Sequence, residues 1–332
     1  MSAPAPAELE LMDRAISIAA TIRQITAPNP WVGAVLVSGD TTQCFEGATE
    51  SPGRRHAEIV ALDAAGENAK GGTLVVTLEP CAHTGRTPPC VDRIIDAGIA
   101  TVIIGVLDPD PNVNGKGVAS LRAAGINVIV GIREQEVRRQ LGGYFHHRLT
   151  GRPRVTLKLA ATLDGRTAAP DGSSKWITSE EARRDVAMLR AESDAIVVGA
   201  GTVRQDDPEL TARTDPPPFR QPLRVVLGQI PSGARILPAE SMTGDLTTIL
   251  DDLGGRGILD VLIEGGASVA HAFVEEGLVD RFVVYLAPAV MGGDDGAPML
   301  KGSGIPTLES LWRGHFVSVT QIGEDLRLEV EA

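Results

Sequence analysis

Leu9, Met12, Ile16 and Ala19 fall on one helical stripe, and the apolar run Val32–Val37 that follows reads as a buried strand. The alternation continues with a helix over 56–66, a strand over 73–78, a helix over 91–97 and a strand over 101–106. A helix over 118–124, a strand over 126–132 and a basic helix over 134–149 complete it. Strands alternating with helices predict a largely parallel sheet with helices packed on both faces. Gly151-Arg152-Pro153 breaks the pattern and sets a domain boundary, giving domains 1–150 and 151–332. The second domain restarts with a strand from Val155 that turns at Asp164-Gly165-Arg166. Ser179 then reads as the N-cap of a helix carrying Val186, Leu189 and Arg190. Strands follow over 195–202 and 223–228, and Val261-Leu262-Ile263-Glu264 ends in Gly265-Gly266, which open another helix. Pro216-Pro217-Pro218 is a surface turn rather than a linker, and no internal repeat or low-complexity segment is visible.

Length supports this division, since 332 residues exceed the size at which one hydrophobic core keeps growing. The apolar content of 43% is enough for two cores, yet the longest apolar runs are only strand-sized. The start of the chain lacks both a basic segment and an apolar signal core. A cytoplasmic protein with no membrane partner is expected. Three cysteines rule out a disulfide framework and agree with a reducing compartment. Of these, Cys44 lies in a strand-like segment and is expected in the core. A net charge of −12 argues against a nucleic-acid partner, which would require clustered Lys and Arg to neutralise phosphates. A small-molecule substrate suits the charge better.

The strongest chemical signal is His56-Ala57-Glu58 followed by Pro80-Cys81 and, before the next helix, Cys90. One imidazole and two thiolates make three zinc ligands, and a three-ligand zinc keeps its fourth position for water, as catalytic sites do. Bound zinc lowers the pKa of that water from about 16 to about 7, and Glu58 is placed to shuttle its proton to a departing amine. The pattern predicts hydrolytic deamination. His56 and Cys90 both fall at predicted helix starts, where the helix dipole favours thiolates. The second half is less specific by itself. Gly265-Gly266 between strand and helix suits either tight packing or a pyrophosphate at a helix start.

These residues resemble the cytidine deaminase superfamily, and more closely the deaminase half of the bifunctional riboflavin-biosynthesis deaminase-reductases. The generic superfamily spaces its cysteines Pro-Cys-x-x-Cys, whereas here residues 82–89 intervene. The expanded segment His83-Thr84-Gly85-Arg86-Thr87-Pro88-Pro89 looks like that family's own signature. So do Pro28-Asn29-Pro30-x-Val32-Gly33 upstream and the stretch from Asp108 to Gly117 downstream. The run from Lys158 through Asp164, Ser174-x-Trp176-Ile177-Thr178, Arg190 and Asp206-Asp207-Pro208 to Glu264-Gly265-Gly266 looks like the reductase half, so the resemblance spans nearly the whole chain.

The resemblance implies a cytidine-deaminase-like α/β/α domain followed by a dihydrofolate-reductase-like α/β domain that uses NADPH. It implies a cofactor site lined by Ala160, Trp176, Thr178, Thr202, Asp206, Gly266, Ala267 and Ser268. Substrate contacts are implied at Asn29 and Asp108 in the first domain and at Lys158, Ser174, Arg190, Leu210, Arg213 and Glu264 in the second. His83 and Arg86 are candidates for the substrate phosphate, or else members of a solvated loop. Arg190 and Arg213 can fork onto a sugar phosphate or form surface ion pairs. Lys158 can polarise a sugar carbonyl or extend its ammonium to solvent along an apolar stem. The implied substrate is a phosphoribosylated pyrimidine, and a homo-oligomer through the reductase domain is expected.

Two positions depart from the family. Asp110 stands where Asn is usual, and an ionised carboxylate cannot donate a hydrogen bond. Gly228-Gln229 stands where an Asp is common after the strand, so contacts to the cofactor ribose are expected to differ. The rival classes are a tRNA or nucleobase deaminase with a C-terminal binding module, and a regulatory protein with a vestigial site. The charge balance opposes the first, and the intact His56, Glu58, Cys81 and Cys90 oppose the second.

Overall fold

The computed structural model describes residues 4–83, 88–111 and 113–331. The chain divides into two compact units, Met1–Gly151 and Arg152–Ala332, each with its own sheet. Among the described residues no helix is long and apolar enough to cross a membrane.

The first unit runs α1 (Pro6–Ala20), α2 (Arg23–Thr26), β1 (Gly33–Val37), β2 (Cys44–Ala48), α3 (Ala57–Ala65) and β3 (Thr73–Leu78). It continues with α4 (Cys90–Asp96), β4 (Thr101–Val106), α5 (Lys116–Ala123), β5 (Asn127–Val130), α6 (Glu134–Gln140) and α7 (Gly142–Thr150). The strand order is β2-β1-β3-β4-β5. β3, β4 and β5 are parallel, while β1 runs antiparallel to both β2 and β3. Helices α1 and α6 touch each other and the sheet, and α3, α4 and α5 form a second contacting series. Both faces are therefore covered. Residues on both sides of β1, β3 and β4 are buried as a result.

The second unit opens with β6 (Arg154–Thr162), β7 (Arg166–Ala168), α8 (Glu180–Glu192), β8 (Ala195–Gly199) and α9 (Ala200–Asp206). Then come β9 (Leu223–Leu227), β10 (Glu240–Met242), α10 (Leu246–Gly255), β11 (Asp260–Ile263) and α11 (Ala267–Glu275). It ends with β12 (Arg281–Ala287), β13 (Ala297–Pro298), β14 (His315–Ile322) and β15 (Asp325–Glu331). The main sheet has the order β10-β9-β8-β11-β6-β12-β15-β14. Its first six members are parallel and its last two pair antiparallel. One buried cluster holds Val155, Leu157, Val197, Val261 and Phe273, and a second holds Ile196, Val198, Val226, Leu262 and Tyr285. Alternate residues of β8 and β11 divide between the two, as the period of a strand requires. Ser179 caps α8 by accepting from the Ala182 N–H at 3.2 Å, as its sequence position predicts.

Several elements differ from the sequence expectation. The first sheet is mixed rather than largely parallel, because 38–48 folds back as a hairpin and makes β2 an edge. Cys44, expected in the core, is exposed there beside Arg14. Strand character alone does not tell an edge from a centre. The basic helix expected over 134–149 is two helices, separated at Leu141, whose backbone leaves the helical region just before Gly142-Gly143. The strand expected to reach Thr202 stops at Gly199, and Thr202 lies in α9.

Candidate active sites

In the first unit His56 is the N-cap of α3, Glu58 lies in that helix's first turn, Cys81 follows β3, and Cys90 opens α4 after Pro89. The His56 Nδ1 stands 3.2 Å from the Cys90 Sγ and 3.7 Å from the Cys81 Sγ. All three donor atoms lie within 4.8 Å of one another. A tetrahedral zinc with ordinary Zn–N and Zn–S bonds separates its ligand atoms by roughly 3.6–3.8 Å, so this donor set fits the ion. Its chemistry agrees, since thiolate and imidazole are ligands that zinc favours. The two thiols compete for one proton. The Cys90 thiol hydrogen-bonds Cys81 and, with His56, holds Cys81 well below the usual thiol range, while Cys90 is pushed up in turn. A dication is the natural replacement for that proton.

Glu58 is 4% exposed, and burial pushes its carboxyl up to about 7. A carboxyl near neutrality both accepts and returns a proton, as an acid-base group in deamination must. Asn29, His56, Glu58, Cys81, His83 and Asp108 all line one cavity of about 350 Å³. Arg86 lies outside the described residues. Asp108 is buried, and its carboxyl is pushed up to about 6 mainly by that burial. It accepts from the Asp110 N–H at 2.9 Å and from the Tyr144 hydroxyl at 3.2 Å. Asp110 also lines the cavity.

Sequence reasoning passed over Glu79. Its carboxylate, 3% exposed, accepts from the backbone N–H groups of Asp108 (3.3 Å), Gly115 (2.9 Å) and Val118 (3.1 Å). It thereby ties the Asp108 loop to the end of β3, beside Cys81. A Cβ at Gly117 would stand 2.1 Å from the Pro80 carbonyl oxygen, so only glycine allows this approach. The available signal was a carboxylate at the end of an otherwise apolar strand. Glu79→Gln turns amide hydrogens toward those donors and is expected to cost about 2–4 kcal/mol. The melting point of this unit should fall by roughly 5–15 °C in a thermal scan. An unchanged melting point would contradict the bracing role.

In the second unit Lys158 on β6, Arg190 on α8 and Glu264 after β11 form one cluster. Arg190 directs Nε (2.5 Å) and Nη2 (2.9 Å) at the two Glu264 oxygens, and the Lys158 Nζ is 3.8 Å from the same carboxylate. Burial would raise Glu264, but Arg190 and Lys158 outweigh it and hold its carboxyl below the ordinary value. Burial draws the Lys158 ammonium down, with Arg190 adding and Glu264 opposing. The fork that the sequence offered to a sugar phosphate is thus closed on Glu264. Arg213 is exposed and paired with Glu209. Leu210 is buried with a positive φ of 48°, and Ser174 is half-buried.

β8 and β11 are adjacent and parallel, so α9 and α11 start at the same edge of the sheet. The Gly266 N–H donates to the Thr202 Oγ1 at 3.1 Å, joining those two helix starts. A Cβ at Gly265 would lie 2.6 Å from Val269, so the glycines also serve close packing. Gly266 caps α11 with no side-chain hydrogen bond, which leaves the amides of Ala267 and Ser268 for a phosphate. These groups fit a dinucleotide. Asp206 ends α9, and Ala160 is half-buried on β6. Trp176 is 69% exposed beneath the Arg183 guanidinium at 4.4 Å, and Arg183 also donates to the Thr178 carbonyl at 2.7 Å.

Comparison with known proteins assigns a family to each half of the chain. Residues 6–106 match the cytidine and deoxycytidylate deaminase zinc-binding region, and residues 153–328 match the RibD C-terminal domain. The chain is 43% identical to riboflavin biosynthesis protein RibD of Mycobacterium tuberculosis, over 97% of each protein. It is 41% identical to the Aquifex aeolicus protein of the same name, over 95% of this chain and 96% of that one. Among solved structures, Acinetobacter baumannii RibD superposes with a TM-score of 0.90 at 38% identity, covering 98% of both chains. A Thermotoga maritima diaminohydroxyphosphoribosylaminopyrimidine deaminase/5-amino-6-(5-phosphoribosylamino)uracil reductase gives 0.87 at 35% identity, again over 98% of both.

Proposed function

We infer the activity from one premise: the chain belongs to the RibD family of bifunctional riboflavin-biosynthesis enzymes. It is a zinc-dependent deaminase and an NADPH-dependent reductase. We assign deamination to residues 1–150 and reduction to 151–332. The substrate is 2,5-diamino-6-ribosylamino-4(3H)-pyrimidinone 5′-phosphate, a reading supported by the name of the Thermotoga maritima relative. The observation that carries it is that His56, Cys81 and the buried Glu58 line one cavity large enough for a nucleotide-sized ligand, with the Cys90 thiol clustered against His56 and Cys81.

Deamination exchanges the C2 amino group for oxygen, consuming water and releasing ammonia. Held by His56, Cys81 and Cys90, Zn²⁺ supplies the Lewis acidity that makes water acidic near neutral pH. Glu58 takes one proton from water and gives it to the ring nitrogen, then takes the second from the hydroxyl added at C2 and gives it to the departing amine, which leaves as ammonia. Asp108 and Asn29 orient the base. In the reductase, NADPH would supply a hydride to C1′ as the C1′–O4′ bond breaks, and the freed ring oxygen takes up a proton to leave the ribityl chain. Thr202, Gly266, Ala267 and Ser268 hold the dinucleotide, with Ala160, Trp176, Thr178 and Asp206 around it. Lys158 faces the sugar oxygen, its position fixed by the Arg190–Glu264 pair, while Ser174, Leu210 and Arg213 border the substrate. Ammonia release from this substrate without NADPH tests the first step, and no release would reject it.

Cofactor preference follows from the departure at Gly228-Gln229. A Cβ at Gly228 would lie 3.1 Å from the Ala200 Cβ, and Arg204 follows Ala200 by one turn of α9 on an exposed surface. Arg204 with the neutral Gln229 suits a ribose 2′-phosphate. One charge-assisted hydrogen bond contributes about 1.5–3 kcal/mol, so kcat/KM for NADPH should exceed that for NADH roughly tenfold or more. Equal values would reject the site.

A homo-oligomer through the reductase unit is supported by Leu308, Phe316 and Val319, 77%, 66% and 59% exposed in and beside the edge strand β14. Phe316→Asp should sediment as a smaller species, and an unchanged mass would contradict this interface. A cytoplasmic location is supported by the need to keep Cys81 and Cys90 as free thiols. Recovery outside the cytoplasmic fraction would contradict it.

A further inference from the structure

Trp176 is a large apolar side chain left 69% exposed in the segment between β7 and α8. Lys175 before it is exposed, and Ser174, Ile177 and Thr178 are only half-buried. The indole belongs to neither buried cluster of the second unit. Core packing therefore does not set the direction of its ring.

Arg183, one turn into α8, does so. Its guanidinium carbon lies 4.4 Å from the centre of the indole, and its Nη1 donates to the Thr178 carbonyl at 2.7 Å. Among the described residues Arg183 makes no ion pair, whereas the next residue, Arg184, is paired with Glu180. The Arg183 side chain is thus directed wholly at the segment that precedes its own helix.

The end of that segment is held from the far end of the unit's sequence. Asp325, 2% exposed after the β14–β15 turn, accepts at one oxygen from both the Ser179 N–H and the Ser179 hydroxyl, each at 2.7 Å. Ser179 in turn caps α8. The turn lies so close to the helix that a Cβ on Gly323 would stand 3.2 Å from the Glu181 Cβ. A carboxylate buried here needs both donors, and the helix dipole favours an anion at this end. Asp325 fixes Ser179, while Arg183 fixes Thr178 and one face of Trp176.

A cation over one face leaves the opposite face of an exposed indole to solvent, and a free aromatic face suits a planar heterocycle. Trp176 and Thr178 border the dinucleotide in the reductase reading above, and the dinucleotide carries a nicotinamide and an adenine. A side chain already ordered loses little rotamer freedom when the ligand arrives. We propose that Arg183 and Asp325 are positioning residues of the reductase, holding the Ser174–Ser179 segment so that the open face of Trp176 stacks on a ring of NADPH.

This rests on the reading that Trp176 borders the cofactor, and the test separates the two. Full-length, zinc-loaded protein is assayed for NADPH oxidation on the deaminated ribosyl phosphate, with ammonia release measured on the same sample. Arg183→Met should raise KM for NADPH roughly three- to tenfold with little change in kcat, the factor expected when one side chain must be ordered on binding. Ammonia release, carried by the other unit, should be unchanged. Arg183→Lys should recover part of the loss, since it keeps a cation for the ring. Asp325→Ala should act in the same sense, and Asp325→Asn, whose amide oxygen can still accept both bonds, should recover most of it. Trp176→Ala should raise KM at least as much as Arg183→Met, and the double variant should be no worse than Trp176→Ala alone. Arg183→Gln, which keeps a donor for the Thr178 carbonyl, replaces the Met variant if the latter melts below the assay temperature. Losses that multiply in the double variant would overturn the proposal, as would an unchanged KM in Arg183→Met where Trp176→Ala raises it. An unchanged KM in Trp176→Ala would reject the placement of Trp176 beside the cofactor, and the proposal with it.

Discussion

Glu58→Gln is expected to lower ammonia release by about 10²–10⁴-fold while zinc stays bound and NADPH-dependent reduction of the deaminated intermediate continues. The carboxylate is not a ligand. The donor atoms that converge are those of His56, Cys81 and Cys90, and Glu58 lies in the first turn of α3 beside them. Glutamine preserves size and burial but cannot carry a proton between water and amine. The reductase cluster of Lys158, Arg190 and Glu264 lies in the other compact unit. Ammonia assays and NADPH oxidation on separately supplied substrates check the result. Loss of both activities in a folded, zinc-loaded variant would refute two independent sites.

Cys90→Ser has the second large effect, removing most of the metal and destabilising the first unit. Cys90 is wholly buried at the start of α4, and its thiol, Cys81 and His56 form the complete donor set found among the described residues. Serine is a poor zinc ligand, and two remaining ligands bind weakly. At zinc near a thousand times its dissociation constant, binding stabilises the fold by about 4 kcal/mol, so the variant's first unit should melt roughly 10 °C earlier. Chelation of the wild type should reproduce that shift. Zinc affinity should also fall as pH falls, because protons compete for the thiolates and the imidazole. Metal analysis and thermal scans check both points, and stoichiometric zinc in Cys90→Ser would show that another residue completes the site.

The sequence disclosed these groups because each is tied to a local feature. His56 and Cys90 stand at helix starts, Cys81 follows a buried apolar strand, and short-range pattern locates such positions. Groups whose roles depend on distant partners stayed hidden. Glu79 matters through amides at 108, 115 and 118, and Tyr144 through Asp108, neither of which has a local signature. Arg190 showed its charge but not its partner, and only the tertiary fold brings Glu264 to its fork. Cys44 misled because an edge strand and a central strand share their residue types, while exposure depends on what lies alongside. β15 alternates polar and apolar residues from Asp325 to Glu331, although its side chains are mostly half-buried.

The most direct test of bifunctionality supplies purified, zinc-loaded protein with 2,5-diamino-6-ribosylamino-4(3H)-pyrimidinone 5′-phosphate, first without and then with NADPH, and identifies each product by mass spectrometry. Without NADPH the expected products are ammonia and a pyrimidinedione that keeps its ribosyl phosphate. With NADPH that compound should disappear into its ribityl counterpart as NADP⁺ forms. Ammonia release with no subsequent reduction, or reduction of the diamino compound without ammonia release, would contradict a deaminase and a reductase acting in sequence on one chain.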